Sequence, residues 1–466
     1  MLKTSRLVPL VVAAGLFMEN LDQTVIATSL PAMAVDLGTD PVTLKLAFTS
    51  YLLSLTVFIP ISGWAADRFG ARVVFQTAMV VFTLGSIGCG FSQSLLSLIG
   101  FRMFQGVGGA MMVPVARLII LRLVPRHEML QALTYLTVPA LIGPVIGPPL
   151  GGFITTYYHW RWIFWINVPV CLLGLALAYL LLPDVRGDQT GRLDWGGFAL
   201  SGFALSALLF GITLFGRASL SPAWPLALLG VGALLAAAYV RRAAGMARPI
   251  LDLRLLSDPS FHSGVIGGAL FRIGIGALPF LLPLLLQVGF GMTPFGAGSL
   301  TFAAAAGAML MKATAHPILR RFGFRPVLMW NGLISAVLMA ATALFSATTP
   351  HLLIMAVLLI GGFLRSLQFT ALNAITFADI STEKLSAATT LASVVQQLAS
   401  SIGVALAALV IEGVETLRGA QSLGVMDLGV AFVVLSAIAA TSLPVHARMP
   451  ATAGRDLVGK PTAASN

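Results

Sequence analysis

Long apolar runs follow one another along the whole chain, separated by charged residues or by turns rich in proline and glycine. An α-helix needs about 20 consecutive apolar residues to span the hydrocarbon layer of a bilayer. The pattern therefore predicts an all-α integral membrane protein. The fourteen predicted spans are 7–31, 44–65, 72–91, 96–122, 129–157, 162–182, 195–216, 224–241, 261–289, 294–317, 326–347, 351–378, 386–411 and 424–446.

The basic residues test this topology, because lysine and arginine concentrate on the cytoplasmic side of membrane proteins. With both termini in the cytoplasm, nineteen basic residues fall in cytoplasmic segments, four in external segments and five within the spans. This asymmetry predicts fourteen crossings with both termini cytoplasmic. The net charge of +11 is therefore a topology signal and does not indicate nucleic-acid binding.

A short repeat suggests an internal duplication. The sequence RFGAR at 68–72 follows the second span, and RFGFR at 321–325 follows the tenth. We therefore predict two parallel six-helix halves with a central cavity between them, as in many transporters. The predicted parts are an N-terminal six-helix bundle at 1–182, a linker with two inserted helices at 183–260, a C-terminal six-helix bundle at 261–446 and a disordered cytoplasmic tail at 447–466.

The composition agrees with a membrane protein and excludes several other classes. Hydrophobic residues make up 58% of the chain, charged residues 10%, and the mean hydropathy is +0.93, whereas soluble domains contain about 25% charged residues. Two cysteines and six histidines form no metal-ligand spacing, and no GxxxxGK[ST] phosphate loop occurs. We expect no metal, no cofactor and no enzymatic activity.

Three motifs in the first half combine glycines with charged or polar residues. The cytoplasmic turn at 63–72 reads GWAADRFGAR, and the fourth span contains RMFQGVGGA at 102–110. The fifth span contains GPVIGPPLGG at 143–152. Glycines allow helices to approach closely in membranes, and a buried arginine requires a partner.

These three motifs resemble signatures of the major facilitator superfamily. The sequence LDQTVIATSLP at 21–31 resembles the first-helix pattern of its fourteen-helix drug:proton antiporters, the DHA2 family. The resemblance covers essentially the whole chain and implies the major facilitator fold, alternating access and proton-coupled export. It also implies a gating role for Asp67, Arg68, Arg72, Gly143, Pro144, Gly147, Pro148, Gly151 and Gly152.

Two acidic residues, Glu19 and Asp22, lie at membrane depth in the first span. Charged residues are rare there, and each is a functional candidate by default. We interpret both as proton carriers, with Asp22 preferred because it matches the family pattern, and the resemblance links Arg102 to proton coupling. The alternative for either carboxylate is a permanent ion pair that holds helices together.

Away from their ends, the spans carry a net charge of +3, and spans nine to thirteen contain Arg272, Lys312 and Arg365 and no aspartate or glutamate. This field favours an anionic substrate such as an organic acid or a metal–citrate chelate. The candidate substrate-binding residues are Arg272, Arg365, Arg117, Lys312, Asn20, Gln23, Gln368 and Asn373. Arg117 and Lys312 can instead extend to the interface, and the neutral residues can instead bond to neighbouring helices.

The sequence thus predicts a proton antiporter that exports small organic compounds across the inner (cytoplasmic) membrane of a bacterial cell. Its expected partners are a small-molecule substrate, protons and the lipid bilayer, with no nucleic acid, and we expect a monomer. The alternatives are a multidrug efflux pump for lipophilic cations and a channel or sensor with a transport fold.

Overall fold

The computed structural model describes residues 4–39, 41–125, 128–186, 193–214, 221, 223–246, 249–292, 294–419 and 424–458. These residues form helices and turns, with no strand among them. The α-helices are α1 (Thr4–Asp36), α2 (Pro41–Phe69), α3 (Ala71–Gly90), α4 (Leu95–Leu123), α5 (Met129–Tyr157), α6 (Trp162–Trp165), α7 (Asn167–Leu181), α8 (Trp195–Leu214), α9 (Ala223–Ala244), α10 (Pro259–His262), α11 (Gly268–Ile275), α12 (Leu278–Leu284), α13 (Pro294–Phe322), α14 (Phe324–Ala341), α15 (His351–Ile375), α16 (Leu385–Arg418), α17 (Val425–Ala440) and α18 (Ser442–Ala447). Short 3-10 segments lie at Leu253–Ser257, Thr342–Leu344, Thr382–Lys384 and Arg455–Val458, and π-helical segments at Ser263–Gly267 and Leu285–Gly289.

Helices occupy all fourteen predicted spans, so the all-α prediction is confirmed. Ten helical stretches of the described part are long and apolar enough to cross a membrane. The four other predicted spans coincide with α1, α2, α5 and α13, which are 29 to 33 residues long. The number of crossings and the position of the termini stay predictions.

The chain forms two compact units. The first comprises Met1–Gly202, Tyr239–Asp252 and Ser381–Val394. The second comprises Phe203–Ala238, Leu253–Ile380 and Val395–Asn466. The predicted N-terminal bundle lies in the first unit, whereas the predicted linker region with its two inserted helices is shared between the units.

In the first unit, α1 packs along α5, and α4 packs between α2 and α3. The glycines of α4 make this packing close. A Cβ atom at Gly108 would lie 2.6 Å from the backbone oxygen of Ala78, and one at Gly106 would lie 2.8 Å from that of Tyr51. The glycine-rich motif therefore brings the α4 backbone against both neighbours, which positions Arg102 and Gln105 inside the unit.

In the second unit, the predicted span 261–289 is a broken helix. It passes through α10, a π-helical segment, α11, α12 and a second π-helical segment. The break between α11 and α12 falls just before Pro279, whose ring has no amide hydrogen to donate to the helix. Arg272 is in the last turn of α11, next to this break.

The inserted helix α8 begins on the first unit. Asp194, just before α8, accepts a hydrogen bond from the backbone amide of Gly197 at 2.9 Å and one from Arg242 of α9 at 2.7 Å. One turn later, the ring of Phe198 lies 5.9 Å from the ring of Phe58 in α2. The start of α8 is thus fixed by an ion pair and by aromatic packing.

The Asp194–Arg242 pair predicts a pH-dependent stability. Burial alone would raise the pKa of Asp194, but the hydrogen bonds from Arg242 and Gly197 and the arginine charge outweigh it and hold this pKa below its usual value. Because this pKa is lower in the folded state, the ionised Asp194 stabilises the fold at pH values above the unfolded pKa of about 3.9. This stabilisation is lost as the pH falls through the folded-state pKa. In thermal unfolding, we expect Asp194→Asn to melt below the wild type at pH 7. The difference in melting temperature should start to shrink below about pH 4 and disappear once the pH is below the folded-state pKa, and a difference that does not shrink at all as the pH is lowered would contradict the ionic origin.

Part of the predicted disordered tail is folded. Met449 and Leu457 are buried, and Gly454, at a φ of 72°, lies against Phe324 and Ile375 at the ends of α14 and α15. A Cβ atom at Gly454 would lie 2.6 Å from the Phe324 ring. Residues 447–458 therefore differ from the prediction of disorder because two apolar side chains anchor them, and 459–466 lie outside the described residues.

Candidate functional site

Asp22 and Arg102 form a fully buried ion pair in the first unit. The Nη1 atom of Arg102, in α4, donates to Oδ2 of Asp22, in α1, at 2.5 Å. The arginine is 0% exposed to solvent and the aspartate 3%. The structure thus joins two of the three predicted proton-coupling residues.

Three further polar side chains complete this cluster. Gln105 and Asn167 donate to Oδ1 of Asp22 at 3.1 and 2.9 Å, and both also donate to Ser86, at 2.7 and 2.8 Å. Arg102 donates to the side-chain oxygen of Gln105 at 2.6 Å. Sequence analysis missed Ser86 and Asn167, although Asn167 is the only amide side chain in the predicted span 162–182.

Aromatic rings enclose the guanidinium of Arg102. Its Cζ lies 4.3 Å from the ring centroid of Tyr51, in α2, and 5.9 Å from that of Phe164. A cation over an aromatic face is stabilised by the ring quadrupole, more so without water. Gly109 leaves space for the Tyr51 side chain, because a Cβ atom at this position would lie only 2.6 Å from the Tyr51 hydroxyl.

Glu19 lies one turn before Asp22 and stays outside this cluster. It is 7% exposed, and its Oε1 accepts a hydrogen bond of 3.4 Å from Gln23. Its buried Oε2 has no hydrogen-bond partner among the described residues. Asn20, also predicted to bind substrate, donates instead to the Leu16 carbonyl of its own helix at 2.8 Å.

The motif of the fifth span places small residues of α5 against the acidic stretch of α1. A Cβ atom at Gly143 would lie 2.9 Å from the Leu21 amide nitrogen, and one at Gly147 would overlap Thr24. The remaining predicted positions are Pro144, which is exposed, Gly151, which is buried, Gly152, whose Cβ direction is open, and Pro148, whose side chain lies outside the described part.

The turn between α2 and α3 carries the other predicted gating residues. Asp67 accepts a hydrogen bond of 2.5 Å from Arg122, at the end of α4, a partner that sequence analysis missed. Arg72 donates to the Tyr179 carbonyl and lies 5.3 Å from the Tyr179 ring centroid, whereas Arg68 is exposed. The start of α3 is fixed in turn, because the Ala71 amide donates to the Val185 carbonyl at 2.9 Å.

In the second unit, two predicted substrate-binding cations contact neighbouring residues of α15, and we call these two, Lys312 and Arg272, the cationic cluster. Lys312, in α13, donates to the hydroxyl of Thr370 at 2.7 Å. The guanidinium of Arg272, in α11, lies 4.5 Å from the ring centroid of Phe369. Thr370 and Phe369 are consecutive residues of α15. The cations of α13 and α11 therefore contact α15 at nearly the same height along its axis. Sequence analysis missed both α15 residues.

The other predicted residues of α15 differ in their surroundings. Gln368 is fully buried, accepts from Asn331 at 2.9 Å and donates to the Leu328 carbonyl at 3.0 Å, which satisfies its amide within the helix packing. The buried Oδ1 of Asn373 has no partner among the described residues. Arg365 is half-buried and extends over Gly361, where a Cβ atom would lie 2.9 Å from its Nη1.

Arg117 is buried near the C-terminal end of α4, in the first unit. Its role in substrate binding stays a prediction. The described residues contain no group of three or more His, Cys, Asp or Glu side chains able to hold a metal ion. Cys89 and Cys171 are buried free thiols.

Comparisons with known proteins identify the fold and the family. A family model described as Major Facilitator Superfamily matches residues 12–404. The "Putative multidrug resistance protein MdtD" of Serratia proteamaculans is 40% identical over 401 residues, covering 86% of this chain and 84% of that protein. The protein of the same name from Cronobacter sakazakii is 39% identical over 404 residues, covering 86% and 85%.

Two solved structures share the fold. The human organic anion transporter MFSD10 (TETRAN) has a TM-score of 0.69 at 15% identity and covers 95% of this chain and 100% of its own. The proton:xylose symporter XylE has a TM-score of 0.70 at 15% identity and covers 97% of both chains. The resemblance on which the sequence prediction relied is confirmed.

Proposed function

The chain belongs to the major facilitator superfamily, and from this premise we propose that it is a proton-coupled exporter of small organic anions. In this proposal the protein exchanges an anionic substrate, such as an organic acid or its metal chelate, for protons by alternating access. It is a transporter and not an enzyme. It crosses the inner membrane of a bacterial cell fourteen times, with both termini in the cytoplasm, and acts as a monomer.

The observation that carries the substrate class is the charge of the second unit. Residues 259–375 include Arg272, Lys312 and Arg365 and contain no aspartate or glutamate. Lys312 is half-buried and donates to the neutral hydroxyl of Thr370, whereas a cation removed from water is ordinarily paired with a carboxylate. An anionic substrate would provide the missing counter-charge at the level where Lys312 and Arg272 meet α15.

A second candidate function is multidrug efflux of lipophilic cations. The relatives at 38–40% identity are called putative multidrug resistance proteins. The buried carboxylate of Glu19 favours this candidate, because an incompletely paired acid in α1 would attract a cation. The two functions differ in which buried charge the substrate meets, so the substrate's own charge separates them.

We expect Lys312→Ala to weaken the binding of an anionic substrate by at least about 30-fold. Removing one member of a buried charge pair costs about 2–5 kcal/mol, and each 1.4 kcal/mol is tenfold in affinity. The measurement is uptake of labelled citrate, in parallel with tetraphenylphosphonium, into proteoliposomes with an imposed pH gradient. The matched control is Lys384→Ala, which removes an exposed lysine outside the spans and should leave uptake unchanged.

Transport of tetraphenylphosphonium without citrate, insensitive to Lys312→Ala, would overturn the anionic substrate and favour cation efflux. Substrate uptake that is independent of the pH gradient, whichever its direction, would contradict proton coupling. Accumulation of citrate against its gradient would exclude a channel.

A further inference from the structure

The two acidic residues of α1 are one helical turn apart, but their partners differ. Asp22 has both oxygens occupied, by Arg102 on one and by Gln105 and Asn167 on the other. Arg102, enclosed by Tyr51 and Phe164, has no other carboxylate partner among the described residues. Protonating Asp22 would leave a buried guanidinium without its counter-ion, which is among the most unfavourable changes in a protein interior.

Glu19 is arranged in the opposite way. It is also buried, yet among the described residues one of its oxygens has no hydrogen-bond partner and the other accepts only a long bond from Gln23. Among the described residues, the titratable groups that interact with it are Asp22 on its own helix and Tyr51 of α2, and Arg102 of α4 lies over the ring of the same Tyr51. Asp22 already neutralises the arginine. In the part of the chain that the structure describes, the contacts of α5 and α7 with this stretch come from neutral groups, the Gly143 backbone beside Leu21 and the Asn167 amide bonded to Asp22.

We propose that Glu19 carries the transported proton, and that Asp22 stays ionised as the permanent counter-ion of Arg102. This assignment rests on the proposed proton-coupled export and deepens it. In the packed state described here, Glu19 is a neutral carboxylic acid, because a buried carboxylate with an unpartnered oxygen is unfavourable. When α1 is exposed to water, the O–H bond of Glu19 breaks, the proton goes to water and the carboxylate remains until a proton from the other side re-forms the acid.

The geometry gives the neighbouring residues positioning roles. The ion pair of Asp22 with Arg102 ties α1 to α4, and Gly143 and Gly147 bring α5 against the same stretch of α1. A separation of α5 from α1 would admit water beside Leu21, two residues from Glu19. The proton site is thus placed where helix packing controls access to water.

The test compares Glu19→Gln with the exposed control Glu383→Gln in two measurements. The first is infrared difference spectroscopy of the purified protein during a pH titration, which detects the carbonyl stretch of a protonated carboxylic acid. We expect a titrating band in the wild type and in Glu383→Gln, and its loss in Glu19→Gln. A band that persists in Glu19→Gln would overturn the assignment.

The second measurement uses proteoliposomes and labelled citrate. Because glutamine resembles the neutral acid in shape and charge, Glu19→Gln should keep citrate exchange at equal concentrations and lose accumulation driven by a pH gradient. Its melting temperature should stay within a few degrees of the wild type. Retained gradient-driven accumulation would overturn the assignment, and so would failure of Glu19→Gln to fold, since a neutral Glu19 would then not be the native species.

The two proposals fail separately. If the wild type transports no substrate against protons but Glu19 accounts for the titrating infrared band, proton-coupled export is wrong and the protonation of Glu19 stands. If transport is proton-coupled and Glu19→Gln retains the coupling, the export proposal stands and Glu19 is excluded as the carrier.

Discussion

Replacing Arg102 by glutamine is expected to destabilise the protein by about 3–5 kcal/mol, because it leaves Asp22 buried without its counter-charge. The guanidinium is inaccessible to water, donates to both Asp22 and Gln105 and is covered by Tyr51. Glutamine can replace one hydrogen bond and none of the charge. The measurement is the thermal unfolding of the purified protein in detergent. The folded fraction at each temperature is monitored as the height of the monodisperse peak in gel filtration.

The matched control is Arg161→Gln, which removes the arginine of an exposed ion pair. Arg161 donates to Asp36 at 2.7 Å, with side chains 25% and 36% exposed, so water can solvate the remaining carboxylate. Exposed pairs contribute about 0–1 kcal/mol. The double variant Asp22→Asn with Arg102→Gln should recover part of the loss, because no buried charge remains. Equal melting temperatures for Arg102→Gln and Arg161→Gln would contradict the buried pair as a major source of stability.

The helices were predictable because a bilayer imposes a length and an apolar composition on every segment that crosses it. The fourteen predicted spans accordingly coincide with helices. The folded part of the C-terminal segment was not predictable from composition. Residues 447–466 are mostly small or polar, and the buried Met449 and Leu457 contribute little to that average although they anchor the chain.

The members of the site were easier to predict than their partners. Arginine and acidic residues at membrane depth are rare enough to be singled out, so Asp22, Arg102 and Glu19 were found from the sequence. Asn167, Thr370 and Arg122 were missed because a single polar residue in a helix does not show which neighbour it faces. The contrast between Asp22 and Glu19 is likewise invisible in sequence, since it depends on which carboxylate the α4 arginine reaches.

The cationic cluster of the second unit depends on two glycines, and Gly362→Ala is expected to disrupt it. A Cβ atom at Gly362 of α15 would lie 2.6 Å from the Ala304 carbonyl carbon and 2.8 Å from its Cα, in α13. Gly307 has the reciprocal contact with Leu359. These neighbours are backbone atoms, which cannot rotate away as a side chain could. One added methyl group must therefore push α13 and α15 apart.

We expect Gly362→Ala to cost about 1–3 kcal/mol, the range for overpacking, and to abolish citrate uptake that depends on Lys312. Separation of the two helices would break the 2.7 Å contact between Lys312 and Thr370, because each helix carries one partner. Uptake in proteoliposomes and thermal unfolding in detergent measure the two effects.

Gly298→Ala in α13 is the matched control, since its Cβ direction is open, with no atom within 4 Å among the described residues. Alanine favours a helix over glycine by roughly 0.5–1 kcal/mol, so this control should be neutral or slightly stabilising. If both variants behaved alike, the close packing of α13 on α15 would not be what holds Lys312 at Thr370. The position of Lys312 would then be set by α13 alone, and contact with α15 would not be needed for substrate binding.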